Sequence, residues 1–295
     1  MGLENFIPII WSSKLFVRLQ KALVFASLVD RQYEGEIRNV GDSVKINEIG
    51  KISVNDYTKY EAITWQKLDG AQKILTIDQA KSFSFTIDDI DTAQMNPKIM
   101  NAAMTEAAYE IADVVDQYIA SFYKDAGITN TANMGSVTTA VTVTSGSVIK
   151  VLSFASRYMS ENNVPQANRF IVVPPWFHQK LLLAEIGGVS ATAVPKVFDD
   201  GAMTSGYIGD ALGFRVIVSN NVAEAATGVS AIMAFNNTAI AYAGQISKIE
   251  AVKRESYFDQ GVKGLYLYGA KVIRPEALCT LYLSVVCKIG NLCII

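Results

Sequence analysis

The chain has 295 residues, of which 50% are hydrophobic and 18% are charged, and its formal net charge is −2. This balance excludes a strongly basic, sequence-reading nucleic-acid binder. A charged fraction below the ~25% of ordinary soluble domains indicates either a large core or large subunit interfaces. Residues 1–10 carry no basic leader, and the apolar stretch from Ala277 to Val286 is too short for the ~20 residues that span a bilayer, so we expect no membrane anchor.

Residues that most often carry chemistry are few and scattered along the chain. Cys279, Cys287 and Cys293 match neither a disulfide framework nor a zinc site, which predicts reduced thiols and synthesis in the cytosol. His178, the only histidine, has no nucleophile motif near it in sequence, so we predict no catalytic role for it. The glycines of residues 206–213 precede a predicted strand, whereas a dinucleotide-binding loop opens a helix.

Three carboxylates cluster after a predicted strand: Asp88, Asp89 and Asp91. Such a cluster can bind a hard cation such as Ca²⁺, and a metal-dependent hydrolase using these residues is one alternative function. The offsets of an EF-hand loop are absent, however, and solvated turn residues explain the pattern more simply. We therefore predict no catalytic residue, no cofactor and no metal site.

Residues 11–30 have the period of an amphipathic helix. Its apolar positions recur at steps of three or four: Leu15, Leu19, Leu23 and Ala26. A second face carries a basic stripe: Lys14, Arg18 and Lys21. Such a stripe is typical of a solvated helix face, and contact with an acidic neighbour is the alternative.

Residues 36–90 alternate in the manner of β-strands. Val44 and Ile46 alternate with polar residues, and Trp65 precedes the dipeptide Asp69-Gly70, which is typical of a tight turn. Residues 82–88 then alternate with period two, which predicts a half-buried strand. The pattern predicts a long β-hairpin that extends away from the main body.

A helix of about 30 residues is predicted from Asn96 to Ala126, with a length of ~45 Å. Asn96 is a suitable N-cap, and we expect Gly127 to end the helix in the left-handed conformation. The polar side of this helix carries an acidic stripe: Glu106, Glu110 and Asp113. A helix this long is typical of a structural strut.

The remaining residues predict a mixture of short helices and strands. We expect a linker or surface hairpin at 128–146, and strands at 214–218, 231–235 and 239–242. The other predicted elements are a helix (147–161), a buried strand (170–173), a second helix (176–184), and two tail strands (247–254 and 265–273) joined around Asp259-Gln260-Gly261. Together these elements predict the α+β class.

In this order, the elements resemble the major capsid proteins of tailed phages, which have the HK97-like fold, and most of all the branch that includes P22-type coat proteins. Four stretches of sequence carry the resemblance: 41–46, 96–126, 161–175, and the pair formed by 213–221 and 267–270. The resemblance implies five segments: an N-terminal arm (1–35), an extended β-hairpin or E-loop (36–82), a peripheral domain with the long spine helix (83–130), a mixed α/β axial domain (131–242), and returning strands of the peripheral domain with the C-terminus (243–295).

The resemblance implies a structural protein and not an enzyme. Copies of the chain would self-assemble into hexamers and pentamers of an icosahedral shell around double-stranded DNA, in the virion, after assembly in the host cytoplasm. The expected partners are other copies, a scaffolding protein, a portal and DNA held by non-specific contacts, without a membrane. An encapsulin-like compartment that holds protein cargo is an alternative, and a tail-tube or adhesin subunit fits the long helix less well.

We predict assembly contacts from three groups of residues. The first is the basic stripe of the arm, and the second is the acidic stripe of the spine helix, which either faces the lumen or meets the arm. The third lies in the E-loop and comprises Trp65, Asp69 and Gly70. Trp65 is the predicted anchor on a neighbour because buried aromatic residues dominate interface energetics; packing on its own hairpin is the alternative. No lysine of the E-loop is marked as reactive, so we predict no autocatalytic cross-link.

Overall fold

The computed structural model describes residues 24–33, 42–49, 52–54, 56, 59–60, 62, 65–67, 70–88, 97–186, 189–190, 207–253 and 259–285. The helices are α1 (Phe25–Leu28), α2 (Pro97–Ala120), α3 (Thr131–Met134), α4 (Val148–Glu161) and α5 (Pro175–Leu182). The strands are β1 (Ser43–Ile49), β2 (Gly70–Thr76), β3 (Gln79–Asp88), β4 (Val141–Val143), β5 (Arg169–Val173), β6 (Glu185–Ile186), β7 (Val189–Ser190), β8 (Tyr207–Ala211), β9 (Phe214–Val218), β10 (Ala223–Ala226), β11 (Val229–Asn236), β12 (Ile240–Lys253), β13 (Asp259–Val272) and β14 (Leu278–Val285). None of the described helices has the length and apolar character needed to cross a membrane.

The main core is a mixed seven-stranded sheet with the order β4-β14-β11-β5-β9-β8, to which β10 adds on β11. Its inner strands are rich in β-branched and apolar residues and are buried on both faces, as β5 illustrates. Helix α4 covers this sheet with one apolar face, and the predicted residues of that face are all buried: Val148, Val151, Leu152, Ala155 and Met159. The predicted helix at 147–161 and the predicted strand at 170–173 are therefore confirmed.

A second sheet contains three long antiparallel strands in the order β12-β13-β3. Successive side chains of a strand point to opposite faces, so the central strand β13 presents two different surfaces. The Tyr268 ring faces the long helix α2, where it meets the Tyr118 ring edge-on with centroids 5.3 Å apart. Leu267 points to the other face and belongs to the apolar cluster that holds β1 and β2. This sheet is thus covered by a helix on one side and by a hairpin on the other.

The long helix is confirmed, but its end differs from the prediction. Helix α2 has 24 residues, a length of ~36 Å, and continues as a 3₁₀ turn from Ser121 to Asp125. The prediction that Gly127 adopts the left-handed conformation is wrong, since the left-handed glycines of the described chain are Gly135, Gly213 and Gly228. Glycine is required at 127 for space instead, because a Cβ there would lie 2.6 Å from the backbone of Pro275.

The predicted hairpin is formed by β1 and β2, which pair from Ser43 opposite Thr76 to Ile49 opposite Gly70. The predicted tight turn at Asp69-Gly70 is wrong, because Gly70 is already the first residue of β2. The described residues 52–54 and 65–67, which include Trp65, belong to no strand. The root of the hairpin, through Val44, Leu75 and Ile77, packs on Ala241, Ala243 and Leu267 of the three-stranded sheet.

The N-terminal helix is shorter than predicted within the described residues. Helix α1 begins at Phe25 because Val24 has non-helical backbone angles, and it ends at Leu28, after which Asp30 pairs with Ala241 of β12. Of the predicted helix from 11 to 30, the described residues 24–30 therefore contain only the turn from Phe25 to Leu28. Residues 11–23 of that prediction lie outside the described residues.

Several strands are longer or differently placed than the local patterns predict. The predicted strands at 239–242 and 247–254 form one strand, β12, with a β-bulge between Ile246 and Lys248. The predicted turn around Asp259-Gln260-Gly261 is wrong, because these residues pair with β3 within β13. Residues 141–143 form no surface hairpin but pair in parallel with β14 as strand β4. In each of these cases, pairing with a strand that is distant in sequence determines where the strand begins and ends.

We expect Gly269→Ala to loosen the E-loop root. A Cβ at Gly269 would lie 2.3 Å from the Thr76 carbonyl oxygen and 3.1 Å from the Ile77 Cα, so the hairpin must move away from β13. Overpacking of this kind costs about 1–3 kcal/mol, measurable as a lower thermal unfolding temperature. The control is Gly146→Ala, where no heavy atom lies within 4 Å. Equal stability of the two variants would contradict this packing.

Candidate assembly interface

The described part of the E-loop exposes large apolar side chains in the single chain. Trp65 is 93% exposed and Val54 is 95% exposed, and Tyr60 and Ile52 are also exposed. The Ser53 backbone N–H donates to Gln66 Oε1 at 2.8 Å, which links the two sides of the loop next to Trp65. The alternative that Trp65 packs on its own hairpin is thus excluded. Several large apolar side chains of this loop are therefore exposed to solvent in the single chain.

The root of the same hairpin is fixed to the body. Lys73 donates a hydrogen bond from Nζ to the carbonyl oxygen of Ile273 in the body, and within the hairpin the Ile77 N–H donates to Asp42 O at 3.1 Å. Leu75 and Ile77 are fully buried against the sheet. The hairpin therefore has an anchored base and a loop that exposes apolar side chains to solvent.

A buried carboxylate joins the N-terminal arm to the spine helix. Asp116 on α2 is fully buried, and its Oδ1 accepts hydrogen bonds from the backbone N–H groups of Val24 at 3.1 Å and Ala26 at 3.2 Å. These N–H groups lie at the start of α1, where a helix leaves its donors without internal partners. Asp116 thus acts as an N-terminal cap supplied by a residue about 90 positions away in sequence.

The same carboxylate connects both elements to the seven-stranded sheet. Asn221, which follows β9, donates from Nδ2 to Asp116 Oδ2 at 3.1 Å and to Asp113 Oδ1 at 2.7 Å. Gln117 Nε2 also donates to Asp113, at 2.8 Å. Asn221 Oδ1 is buried and has no hydrogen-bond partner among the described residues. One amide therefore serves two carboxylates at the meeting point of the arm, the spine helix and the axial strands.

Burial is the main electrostatic influence on this junction. It raises the pKa of Asp116 above its ordinary value of 3.8, and the hydrogen bonds from Asn221, Ala26, Val24 and Phe25 oppose this rise in pKa. A carboxylate with a raised pKa in the folded state makes the fold less stable when it ionises. Stability from this group is therefore largest at low pH and decreases as the pH rises through the folded-state pKa.

The predicted contact residues differ in their burial and in their hydrogen bonds. Glu106 and Glu110 are partly exposed on α2, whereas Asp113 is buried and bonded to Asn221, so the acidic stripe does not run along one solvated face. Gly70 begins β2, and Trp65 lies in the exposed loop. Lys14, Arg18, Lys21 and Asp69 lie outside the described residues. The sequence patterns missed Asp116 and Asn221, although Asn221 lies in a stretch that carries the family resemblance.

The groups that could support chemistry in the described chain are placed for packing. Burial raises the pKa of the Cys279 thiol to about 12, and its Sγ lies 3.7 Å from Met134 Sδ, which confirms a buried reduced thiol at this position. Burial lowers the pKa of His178. The described residues contain no group of three or more side chains arranged to hold a metal ion. Asp88 ends β3, and Asp89 and Asp91 lie outside the described residues.

The described chain combines a hairpin that is anchored at its base and exposes Trp65, a long helix, and an arm whose helix is capped by Asp116. A family model described as phage capsid protein matches residues 69–281. The chain therefore belongs to this family of phage capsid proteins. It is a bacteriophage major capsid protein with the HK97-like fold, a non-enzymatic structural component of the virion whose copies assemble into the capsid.

Solved structures agree with the family. A structure from Mycobacterium phage Che8 has 28% identity and a TM-score of 0.72, covering 95% of this chain and 98% of that chain. The capsid structure of cyanophage P-SCSP1u has 18% identity and a TM-score of 0.70, covering 96% and 95% of the two chains. The capsid of Ralstonia phage GP4 has 12% identity and a TM-score of 0.66, covering 99% of each chain. Among curated proteins, none matches this chain.

We expect Asp116→Asn to reduce the pH dependence of stability. The wild-type protein should lose thermal stability as the pH rises above 3.8 through the raised folded-state pKa of Asp116, and the neutral amide should remove that part of the loss. The measurement is the unfolding temperature at several pH values, with Asp125→Asn as an exposed control. Asp116→Ala should instead destabilise at every pH by about 1–3 kcal/mol, because it leaves buried N–H donors unpaired. Parallel pH profiles for Asp116→Asn and wild type would contradict the assignment.

Proposed function

We propose that this capsid protein forms the hexamers and pentamers of an icosahedral shell that encloses double-stranded DNA. The observation that carries the proposal is the E-loop, whose base is packed on the body and whose tip exposes Trp65. A two-stranded hairpin is too thin to bury its own apolar side chains and gains stability by packing on something else. In a shell, that surface is a neighbouring subunit.

The division of the chain into five segments is part of this proposal. Residues of the arm (1–35), the peripheral domain (83–130 and 243–295) and the axial domain (131–242) share one large apolar cluster, whereas the E-loop (36–82) packs on the body through a separate small cluster at its root. Strand β3 crosses the proposed boundary between 82 and 83, so the E-loop is continuous with the peripheral sheet. Rigid bodies with a separately packed hairpin fit both five-fold and six-fold surroundings.

Charge supports packaging of DNA without tight adhesion. A strongly basic lumen would bind DNA through the release of counterions, whereas this chain has a net charge of −2. We propose a scaffolding protein and a portal as additional partners, non-specific contact with the packaged DNA, and assembly in the host cytoplasm. Particles from infected cells should contain nucleic acid and not the protein cargo of an encapsulin-like compartment.

The arm and the spine helix are proposed to attract each other through charge. Asp116 accepts hydrogen bonds from the backbone N–H groups of Val24 and Ala26, so the described start of the arm lies beside α2. The basic stripe of Lys14, Arg18 and Lys21 then meets Glu106 and Glu110, with Asp113 in the buried network beside them. A network of several such pairs contributes more than one exposed pair, which is worth only about 0–1 kcal/mol.

We expect Trp65→Ala to prevent closed shells while it leaves the subunit folded. Trp65 makes little contact within its own chain, so its removal should not change the unfolding temperature of the unassembled subunit, whereas an interface anchor can contribute 2 kcal/mol or more. Negative-stain electron microscopy and sedimentation of the overexpressed protein are the measurements. Leu183→Ala, which removes another exposed apolar side chain, is the control. Formation of normal shells by the Trp65→Ala variant would contradict the proposed role of Trp65 in the interface.

Charge reversal tests the contact between the arm and the spine helix. Replacing Glu106 and Glu110 by lysine should reduce the yield of particles, because these lysines would face the basic stripe. Replacing Lys14, Arg18 and Lys21 by glutamate in the same chain should restore the yield by restoring attraction. Particle yield by sedimentation is the measurement. The pairing is wrong if reversal of both stripes restores assembly no better than reversal of one.

A further inference from the structure

Two carboxyl groups of the spine helix share one amide group in the interior of the subunit. Asn221 Nδ2 donates to Asp113 Oδ1 at 2.7 Å and to Asp116 Oδ2 at 3.1 Å, so these two oxygens are close neighbours. Both carboxyl groups are buried, Asp116 completely. Two negative charges this close together in a low-dielectric interior repel each other, which favours a state in which one of the two groups carries a proton.

The hydrogen bonds around Asn221 contain more acceptors than donors. Asn221 is only 5% exposed, and its Oδ1 has no hydrogen-bond partner in the part of the chain that the structure describes. Nδ2 of the same amide already serves two acceptors. A buried acceptor without a partner destabilises the fold. A proton on one of the carboxyl groups would add a donor at the place where the network has too few.

The existing hydrogen bonds favour Asp116 as the group that holds this proton. Its Oδ1 accepts the backbone N–H groups of Val24 and Ala26, so Oδ2, which faces Asn221, is the oxygen that can carry a hydrogen. Asp116 is also more deeply buried than Asp113, and burial disfavours the charged form. Burial raises the pKa of Asp116, and the hydrogen bonds from Asn221 and the arm only oppose this rise in pKa.

The partners of Asp116 among the described residues are neutral. They are the backbone N–H groups of the arm and the side-chain amide of Asn221. Helix α1 contains no ionisable residue, and neither does the stretch from Ser219 to Val222. The ionisable groups that lie next along the two elements are Asp30 and Arg31 in the arm and Glu110 and Asp113 in α2. The guanidinium carbon of Arg31 lies 5.9 Å from the centroid of the Tyr242 ring.

We propose that protonation of Asp116 controls the attachment of the N-terminal arm to the spine helix. Asp116 carries a proton while residues 24–28 are docked, and loss of that proton to water increases the frequency with which these residues detach from α2. When they detach, the carboxyl group reaches water and ionises readily. Above the ordinary value of 3.8, each pH unit therefore increases detachment by up to about tenfold, until the pH exceeds the raised pKa of the docked group.

Apolar packing keeps the arm docked for most of the time. Phe25 is 1% exposed and stacks on Phe235 with ring centroids 6.4 Å apart. Asn237 Nδ2 also donates to the carbonyl oxygen of Leu28 at 3.0 Å. Neither contact involves an ionisable group, so the proton changes how often the arm opens and leaves the docked position itself unchanged. All of these groups lie in one chain, so the inference is independent of the proposed hexamers and pentamers.

Hydrogen exchange of the full-length chain tests the inference. The backbone amides of residues 24–28 are compared by mass spectrometry with those of α4 in the same sample, so that the general pH dependence of exchange cancels. As the pH rises from 3.8, exchange in the wild-type arm should become several-fold faster relative to α4. Asp116→Asn should abolish this increase, because an amide does not ionise and its Nδ2 replaces the donor of the protonated acid. Asp125→Asn, which changes an exposed carboxyl group, is the control and should retain the increase.

Infrared spectroscopy supplies a second measurement on the same proteins. The band of a protonated carboxylic acid that is present in the wild type and absent from Asp116→Asn should disappear over the pH range in which the arm begins to exchange faster. A wild-type exchange ratio that does not change with pH overturns the inference, even if Asp116→Asn does not fold. Equal pH dependence in the wild type and in Asp116→Asn also overturns it, because another group would then control the arm. Failure to form particles would contradict the proposed function and leave these results unaffected.

Discussion

The packing of β13 between two partners is the constraint on which the rest of the structure depends. Its odd-numbered residues around Gly269 accept the E-loop root, and its even-numbered residues around Tyr268 accept the spine helix. Both contacts are tight, since Gly269 has no room for a Cβ and Tyr268 is buried. The direction of the hairpin and the direction of the strut are therefore fixed by the same strand.

The junction at Asp116 complements this rigid centre with polar contacts. Backbone donors of the arm, the carboxylates of the spine helix and Asn221 of the axial strands converge on a few buried atoms. Hydrogen bonds in a low-dielectric interior are strong when complete and costly when broken. The arm is thus held in one position by direction-dependent bonds, whereas the E-loop root is held by apolar burial.

Local periodicity was sufficient for the elements whose contacts are local. Helix α4 and the buried strand β5 follow their sequence patterns, because one apolar face or one β-branched run decides each of them. The predicted elements together indicated the α+β class, which is confirmed, whereas the five segments implied by the family resemblance stay a prediction. The turn expected at Asp69-Gly70 failed because pairing of β1 with β2 continues to Gly70, and turn propensity is weaker than a continuous ladder.

The residues that sequence reasoning missed depend on distant partners. In the local sequence, Asp116 has the pattern of any polar residue on a long helix. Its role as a buried cap depends on contact with the arm, which lies about 90 residues earlier in the chain. Asp113 looked like part of a solvated stripe for the same reason. Gly127 was assigned to a helix cap, whereas the backbone of Pro275 explains the glycine. The sequence was sufficient to single out Trp65, because a two-stranded hairpin has no core of its own in which a tryptophan can be buried.

The thiol of Cys279 has a consequence for the chemistry of the particle. It lies at the start of β14, fully buried, with a pKa raised to about 12, so almost none of it is thiolate at neutral pH. Thiolates react with oxidants and alkylating agents, and thiols hardly do. A virion outside its host meets oxygen for long periods, and this sulfur is protected by the sheet that it helps to fill. The rate at which Cys279 is alkylated would therefore report how often that sheet opens in the assembled capsid.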